Sequence, residues 1–293
     1  MSERGDVMEL SGIGVWSQQL RYGDAAEAAE SAAELEELGY SALWIPDVGG
    51  PLFDAVGRLL AATRRTVVAT GILNLWMHAP EDAAASHASL TAEHGDRFLM
   101  GIGVSHAPLV DRAEAGRYQK PLAAMRTFLD GLDQADTPVP SESRVLAALG
   151  PKMLELAGKR ARGVHPYLVT PEHTRTAREA LGAGPLVLPE QTVILCADRD
   201  EARAIGTDWL KNYLSLPNYA NNLLRLGFSP EDVESVSDRL FDALIAWGDE
   251  EAVRRRVDEH RAAGADHVCV QVLTEDQGAF PREQWRRLAA ALL

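Results

Sequence analysis

The chain lacks most of the features that would assign it early to a functional class. Only two cysteines occur in 293 residues, Cys196 and Cys269, and they do not have CxxC spacing. Each lies in an apolar run that predicts a strand, so we expect reduced core residues. The longest uncharged apolar stretch, residues 67–77, is too short to span a bilayer, and the opening MSERGDVMEL lacks the apolar core of a signal peptide. We therefore expect a soluble, cytoplasmic protein with no membrane partner.

Positive charge is also scarce. The chain has 29 Lys and Arg residues against 43 Asp and Glu, which gives a net charge of -14 and a pI near 5.0. A polyanion would meet an overall repulsive field, which argues against nucleic acid as the main partner. An anionic cofactor would need a local site of backbone amides and a few cationic side chains.

Several catalytic motifs are missing as well. The first βα turn has no G-x-G-x-x-G sequence, and the chain contains no P-loop and no G-x-S-x-G elbow. His87 and His94 are seven residues apart, too far for the i, i+4 pair of a metalloprotease, and we expect no metal site. A Ser105 nucleophile would have only His106 as a base, and adjacent residues on a strand point to opposite faces.

An alternation of strands and helices dominates what is present. The hydrophobic share is 46%, and predicted strands and helices alternate eight times, which favours a (β/α)8 TIM barrel over an open doubly wound sheet. We expect a single domain over residues 1–293, with a helical insertion at about residues 200–247 between strands 7 and 8. The predicted strands cover residues 13–17, 42–46, 66–73, 98–104, 145–149, 164–169, 186–197 and 267–273.

Four aromatic residues of the predicted insertion, Trp209, Tyr213, Tyr219 and Phe228, supply more apolar area than a solvated crossover needs. A lid or a subunit contact would explain them. Packing into the core is the simpler interpretation, and we favour it slightly.

Residues 144–162 carry a possible anion site. An apolar strand ends at Leu149, Gly150 permits a tight turn, and Pro151 suits the first position of a helix. The free amides of such a helix start favour an anion, and Lys152 lies beside them. An ordinary strand-to-helix connection with a solvated lysine explains the same residues equally well.

In a barrel the active site lies where the strands end. The residues at the predicted ends are Trp16, Ser17, Asp47, Gly71, Asn74, Trp76, Ser105, His106, Gly150, Pro151, Tyr167, Thr170, Glu190 and Gln271. Glycines and aromatic rings beside an anion site suit a flat, phosphorylated cofactor that carries the electrons.

Seven segments resemble one known family in order and spacing across nearly the whole chain. They are GIGVWS, GYSALWIPD, TVVATGI, RFLMGIGVSHAPLV, ALGPKMLELA, HPYLVTPEHT and GDEEAVRRRVDEHRAAGADHVCVQ. The chain resembles the luciferase-like monooxygenase superfamily, especially the oxidoreductases that use the deazaflavin coenzyme F420.

The resemblance implies that a tricyclic ring lies in the barrel mouth, with its phosphate near the start of the helix after strand five. It implies a non-proline cis peptide at Gly71–Ile72 behind the ring, and a homodimer. The segment from Gly103 to His106 would pass along the ring. The expected cofactor-binding residues are Asp47, Gly71, Ile72, Asn74, Gly103, Val104, Ser105, Gly150, Pro151, Lys152, Tyr167 and Thr170.

One departure from the family pattern concerns the proton donor. Several relatives have a histidine directly after the acidic residue that Asp47 matches, whereas this chain has Val48. His106 and His78 are substitutes, and Asp47 and His106 are the expected acid–base residues. Structural roles remain open for all three, including a hydrogen bond from Asp47 to the following glycine loop.

Three functions are compatible with these residues. The first is F420-dependent hydride transfer to or from a small organic substrate. The second is an FMN-dependent monooxygenase of the same fold, and the third is a cofactor-binding protein without turnover. The identity of the substrate cannot be deduced from the sequence.

Overall fold

The computed structural model describes residues 10–293, so residues 1–9, where no signal peptide is expected, lie outside it. Eleven strands are found in the described part of the chain. They are β1 (Gly12–Trp16), β2 (Ala42–Ile45), β3 (Val67–Thr70), β4 (Leu73–Asn74), β5 (Phe98–Gly103), β6 (Arg144–Leu146), β7 (Gly163–Val164), β8 (Leu186–Val187), β9 (Glu190–Ile194), β10 (Ile245–Trp247) and β11 (His267–Val272).

Fourteen α-helices and one short 3-10 helix, Ser141–Ser143, complete the described residues. The helices are α1 (Gln19–Tyr22), α2 (Ala25–Leu38), α3 (Leu52–Ala62), α4 (Pro80–His94), α5 (Ala107–Ala113), α6 (Pro121–Gln134), α7 (Pro151–Arg160), α8 (Pro171–Leu181), α9 (Arg199–Leu214), α10 (Pro217–Arg225), α11 (Pro230–Ser235), α12 (Asp238–Leu244), α13 (Glu250–Ala262) and α14 (Arg282–Leu292). None of these helices is both long and apolar enough to cross a membrane.

The strands form one parallel barrel. The sheet order is β10-β9-β11-β1-β2-β3-β5-β6-β7-β8, with β4 paired to β5. It closes because β8 and β9 belong to one extended run: Leu188 N donates to Val164 O at 2.9 Å, and Cys269 N donates to Pro189 O at 3.0 Å. The predicted (β/α)8 architecture is confirmed.

Local sequence explains many of the element boundaries. The Asp24 side chain accepts hydrogen bonds from the first-turn amides of Ala26 and Glu27, and Gly39 ends α2 with a φ of 102°. All four residues of β2 are buried, as expected for a parallel strand with a core on both faces. Cys269 is buried in β11, but Cys196 is only half-buried beyond β9, so the prediction of a core position for Cys196 is wrong.

Three predicted segments differ in the structure. Within the expected insertion the helical chain breaks at Val236, which has a φ of 52°, and residues 245–247 form strand β10. The strand expected over residues 164–169 ends at Val164, and Leu168 beyond it has a φ of 55°. The strand expected over residues 186–197 is divided into β8 and β9, which are separated by Pro189, a residue without an N–H.

Helices α9–α12, residues 199–244, form what we term the cap segment. Its buried side chains, including Leu210, Leu223 and Phe241, form a hydrophobic cluster with Leu168 and Leu273 of the barrel. Tyr219 and Phe228 are also buried there, which agrees with the core-packing interpretation. The cluster places the cap segment over the carboxyl ends of the strands.

Candidate active site

A cavity of about 720 Å³ lies between the carboxyl ends of the barrel strands and the cap segment. Nine of the sequence-predicted site residues line it: Asp47, Gly71, Ile72, Gly103, Val104, Ser105, His106, Gly150 and Tyr167. The other four predicted residues, Asn74, Pro151, Lys152 and Thr170, do not line it. A cavity of this size is in the usual range for a small-molecule or cofactor site.

The floor of the cavity is built around the peptide bond between Gly71 and Ile72. This bond is cis, which confirms the prediction made from the family resemblance. The Trp16 indole Nε1 donates to Gly71 O at 3.0 Å. A Cβ atom at position 71 would lie 2.6 Å from that nitrogen and 3.0 Å from His165 Nε2, so only glycine fits without displacing these rings.

The strand β5 and its exit form one side of the cavity. A Cβ at Gly103 would lie 2.5 Å from Ile72 Cδ1, so the glycine allows the two segments to approach closely. Ser105 has a φ of 53°, and its carbonyl accepts a hydrogen bond from Asn218 Nδ2 at 3.2 Å. The cap segment therefore holds the loop that follows β5.

Asp47 lies at the end of β2 with a fully buried side chain. Its Oδ2 accepts from His78 Nε2 at 2.8 Å and from the Asn74 amide at 3.1 Å, while Oδ1 accepts from the Gly49 amide at 3.4 Å. His78 is itself 16% exposed at the side chain, so it links the buried carboxylate to the surface. Val48, which stands where several relatives have a histidine, is 71% exposed and lies at the cavity.

His106 lines the cavity from the loop before α5. Its ring centroid lies 4.8 Å from that of Tyr219, and its Nδ1 is buried without a hydrogen-bond partner. Burial disfavours the charged imidazolium and lowers the pKa of His106 to about 4. At neutral pH this histidine is therefore neutral, and one ring nitrogen carries a lone pair that can accept a hydrogen bond or a proton.

An aromatic wall faces the floor. The Tyr167 ring lies 5.2 Å from Trp16, and its hydroxyl donates to Gln271 Oε1 at 2.6 Å. Tyr213 of the cap segment reaches the same hydroxyl at 3.1 Å. The backbone beside Tyr167 is held by Glu190, whose Oε2 accepts from the Leu168 amide at 3.1 Å.

The predicted helix start borders the cavity at Gly150. Gly150 is the residue before α7, Pro151 is the first helical residue, and Met153 N and Leu154 N both bond to Gly150 O. A Cβ at position 150 would meet only Arg225 Nη2, at 4.0 Å, so space remains beside this glycine. Lys152 is exposed and lies outside the cavity lining.

Sequence reasoning missed the charged residues that the cap segment and α5 bring to the cavity, Arg225 and Arg112. The only local signal for Arg225 is that no acidic residue occurs within four positions of it.

Within residues 10–293, no group of three or more His, Cys, Asp or Glu side chains is arranged to hold a metal ion.

The match to known proteins agrees with this geometry. The sequence model of the family described as luciferase-like monooxygenase matches residues 7–267. The chain therefore belongs to the luciferase-like monooxygenase family.

Individual relatives in the family are distant but similar over their full length. The Mycobacterium tuberculosis protein named "Putative coenzyme F420-dependent oxidoreductase" is 24% identical over 95% of this chain and 96% of its own. The structure of the coenzyme F420 dependent tetrahydromethanopterin reductase from Methanopyrus kandleri is 16% identical, with a TM-score of 0.74 over 97% of this chain and 98% of that one. The FMN complex of the oxygenating constituent of 3,6-diketocamphane monooxygenase from Pseudomonas putida is 14% identical, with a TM-score of 0.69 over 96% of both chains.

Proposed function

We propose that this protein is an oxidoreductase that binds coenzyme F420 in the cavity and transfers a hydride between its deazaflavin ring and a small organic substrate. The observation that carries the proposal is the shape of the cavity. It is bounded by the Gly71–Ile72 peptide on one side and by the Tyr167 wall on the other, and it ends at the start of α7. A flat ring would fit between these two sides, and a phosphate attached to it would reach the start of α7.

The residues present fit such a cofactor. The start of α7 borders the cavity at Gly150, where space is open beside the backbone, and a helix start of this kind favours an anion. Thr170, at the start of α8, lies outside the cavity lining, and its buried hydroxyl has no hydrogen-bond partner within residues 10–293. We expect Gly71, Ile72, Gly103 and Val104 to contact the ring.

The cofactor would supply two-electron chemistry, since carbon in place of the flavin N5 favours hydride transfer over reaction with oxygen. The protein would then exclude water, orient the substrate and handle a proton. His106 is neutral because of its burial, so we assign it as the acceptor of a substrate proton at Nε2 or Nδ1. Asp47 would act with His78, whose Nε2 lies 2.8 Å from the carboxylate.

The relatives support the choice of cofactor without identifying the substrate. The M. tuberculosis relative and the M. kandleri enzyme carry F420 in their names, and the P. putida enzyme contains FMN. An FMN-dependent monooxygenase is therefore the second candidate function.

A binding titration separates the two. Purified protein is titrated with F420 and, in parallel, with FMN, and the quenching of tryptophan and cofactor fluorescence gives both dissociation constants. We expect F420 to bind at least about tenfold more tightly, a difference of about 1.4 kcal/mol. A preference for FMN would favour the monooxygenase, and no binding of either would contradict both functions.

A further inference from the structure

We propose that Arg225 of the cap segment is the cation that holds the phosphate at the start of α7, and that phosphate binding ties the cap segment to the barrel. This inference rests on the proposed cofactor function. The positive charge that pairs with the phosphate then comes from a residue 75 positions away from Gly150 in the chain. Lys152, only two positions away, does not supply it.

The position of the guanidinium is the first support. Arg225, Gly150 and Leu149 line the same cavity, and Nη2 of Arg225 is the atom nearest to a Cβ built on Gly150, at 4.0 Å. The one hydrogen bond of the Arg225 guanidinium within residues 10–293 goes to Asn222 Oδ1, at 3.2 Å. Most of its five N–H donors are therefore free for a ligand.

Buried polar atoms around this guanidinium are the second support. Asn222 and Thr170 are each 2% exposed, and Asn222 Nδ2 and Thr170 Oγ1 have no hydrogen-bond partner. Leaving such a donor unpaired costs free energy, which a nearby acceptor would recover. Both are donors, and a phosphate group offers several acceptor oxygens.

The two helix starts and Arg225 are close together. His173, in the first turn of α8, donates from Nε2 to Leu149 O at 3.1 Å, which joins the start of α8 to the residue before Gly150. Burial lowers the pKa of His173, and the positive charge of Arg225 lowers it further. That effect requires the guanidinium to lie near the start of α8, where Thr170 is found.

These contacts give the cap segment two attachments to the cavity. At its first turn, α10 holds the loop after β5 through Asn218 and Ser105. At its last residue, Arg225 would hold the ligand phosphate. A phosphate monoester or diester bound here would therefore bridge α10 and α7, and α10 would become more protected from local opening.

The test compares ring ligands with and without phosphate. Dissociation constants are measured by fluorescence for FMN against riboflavin, and for F420 against its ring chromophore without the phosphate-bearing tail. The variants are Arg225→Gln and, as a matched control of an exposed cation near the same helix start, Lys152→Gln. Hydrogen–deuterium exchange of α10 is measured with inorganic phosphate alone.

We expect Arg225→Gln to weaken the binding of the phosphorylated ligands by at least about tenfold, because the charge-assisted hydrogen bonds to the phosphate are lost, and to leave the binding of the unphosphorylated rings unchanged. Lys152→Gln should leave the affinity for both kinds of ligand unchanged. Inorganic phosphate should slow exchange in α10 of the wild type only.

Three results would overturn the inference. The first is an equal loss of affinity for phosphorylated and unphosphorylated ligands in Arg225→Gln, and the second is a loss of affinity in Lys152→Gln alone. The third is that phosphate changes hydrogen exchange in α10 equally in wild type and Arg225→Gln. If neither ring binds the wild-type protein, the proposed function fails. The inorganic phosphate experiment then still decides the role of Arg225.

Discussion

Glu190 is a carboxyl group inside the barrel, only 1% exposed, at the start of β9. It accepts hydrogen bonds from the Leu168 amide at 3.1 Å and from Thr192 Oγ1 at 2.7 Å, and among residues 10–293 no cation pairs with it. Burial therefore dominates and raises its pKa from 4.5 to about 7. The folded protein binds this proton more tightly than the unfolded chain does.

The sign of the effect on stability follows from this shift. Because the pKa of Glu190 is higher in the folded state, its burial costs nothing below pH 4.5 and costs most above pH 7. The contribution of Glu190 to the free energy of unfolding should fall as the pH rises through this window. Between pH 5 and pH 8 the loss from this one group is about 2.5 kcal/mol.

Glu190→Gln removes the titration and keeps the shape of the side chain. The change in stability from pH 5 to pH 8 should therefore differ between variant and wild type by about 2–3 kcal/mol, in favour of the variant at the higher pH. Burial lowers the pKa of His165 to about 4 and of His267 to about 3, so these groups stabilise the fold as the pH rises through the unfolded value of 6.5. Their contribution is common to wild type and variant, so it cancels in the comparison.

The measurement is urea unfolding followed by tryptophan fluorescence at both pH values, with reversibility checked. Glu37→Gln is the control, because Glu37 is exposed on α2. If wild type and Glu190→Gln lose the same stability between pH 5 and pH 8, the carboxyl is not desolvated as the structure indicates.

Three further predictions concern the site and the core. Gly71→Ala places a Cβ 2.6 Å from Trp16 Nε1. We expect the free energy of unfolding, measured in urea, to fall by about 1–3 kcal/mol and cofactor binding to weaken. Unchanged values would contradict the close packing of the cavity floor. His106→Gln and Asp47→Asn should each lower turnover on a substrate panel by about 10²–10⁴-fold while changing cofactor affinity little, and full activity would rule out their acid–base roles. Tyr40→Phe removes a buried hydroxyl that donates to a carbonyl of α14 at 2.8 Å, and should cost about 1–2 kcal/mol by thermal unfolding.

The positions of the strand ends and helix starts could be predicted because they depend on neighbouring residues. Pro151 and Asp24 begin helices through backbone geometry and capping, and these effects act within three or four residues. The residues at the ends of parallel strands then meet at one end of a barrel, which is why Gly71 and Tyr167 were expected in one cavity.

The charge at the anion site could not be predicted in this way. Lys152 lies next to the helix start in the chain, yet its side chain is exposed outside the cavity. Arg225 reaches Gly150 only because the cap segment packs its apolar side chains on the barrel end. The pairing of His78 with Asp47 likewise joins residues from two different loops.

The sequence alone therefore determined the alternating barrel and the set of strand ends, since periodicity and capping are local properties of the chain. Only the tertiary structure decided which side chains from distant segments meet there, how far they are buried, and which of them can carry charge. Burial and long-range contact depend on how the whole chain packs, and no short stretch of residues encodes them by itself.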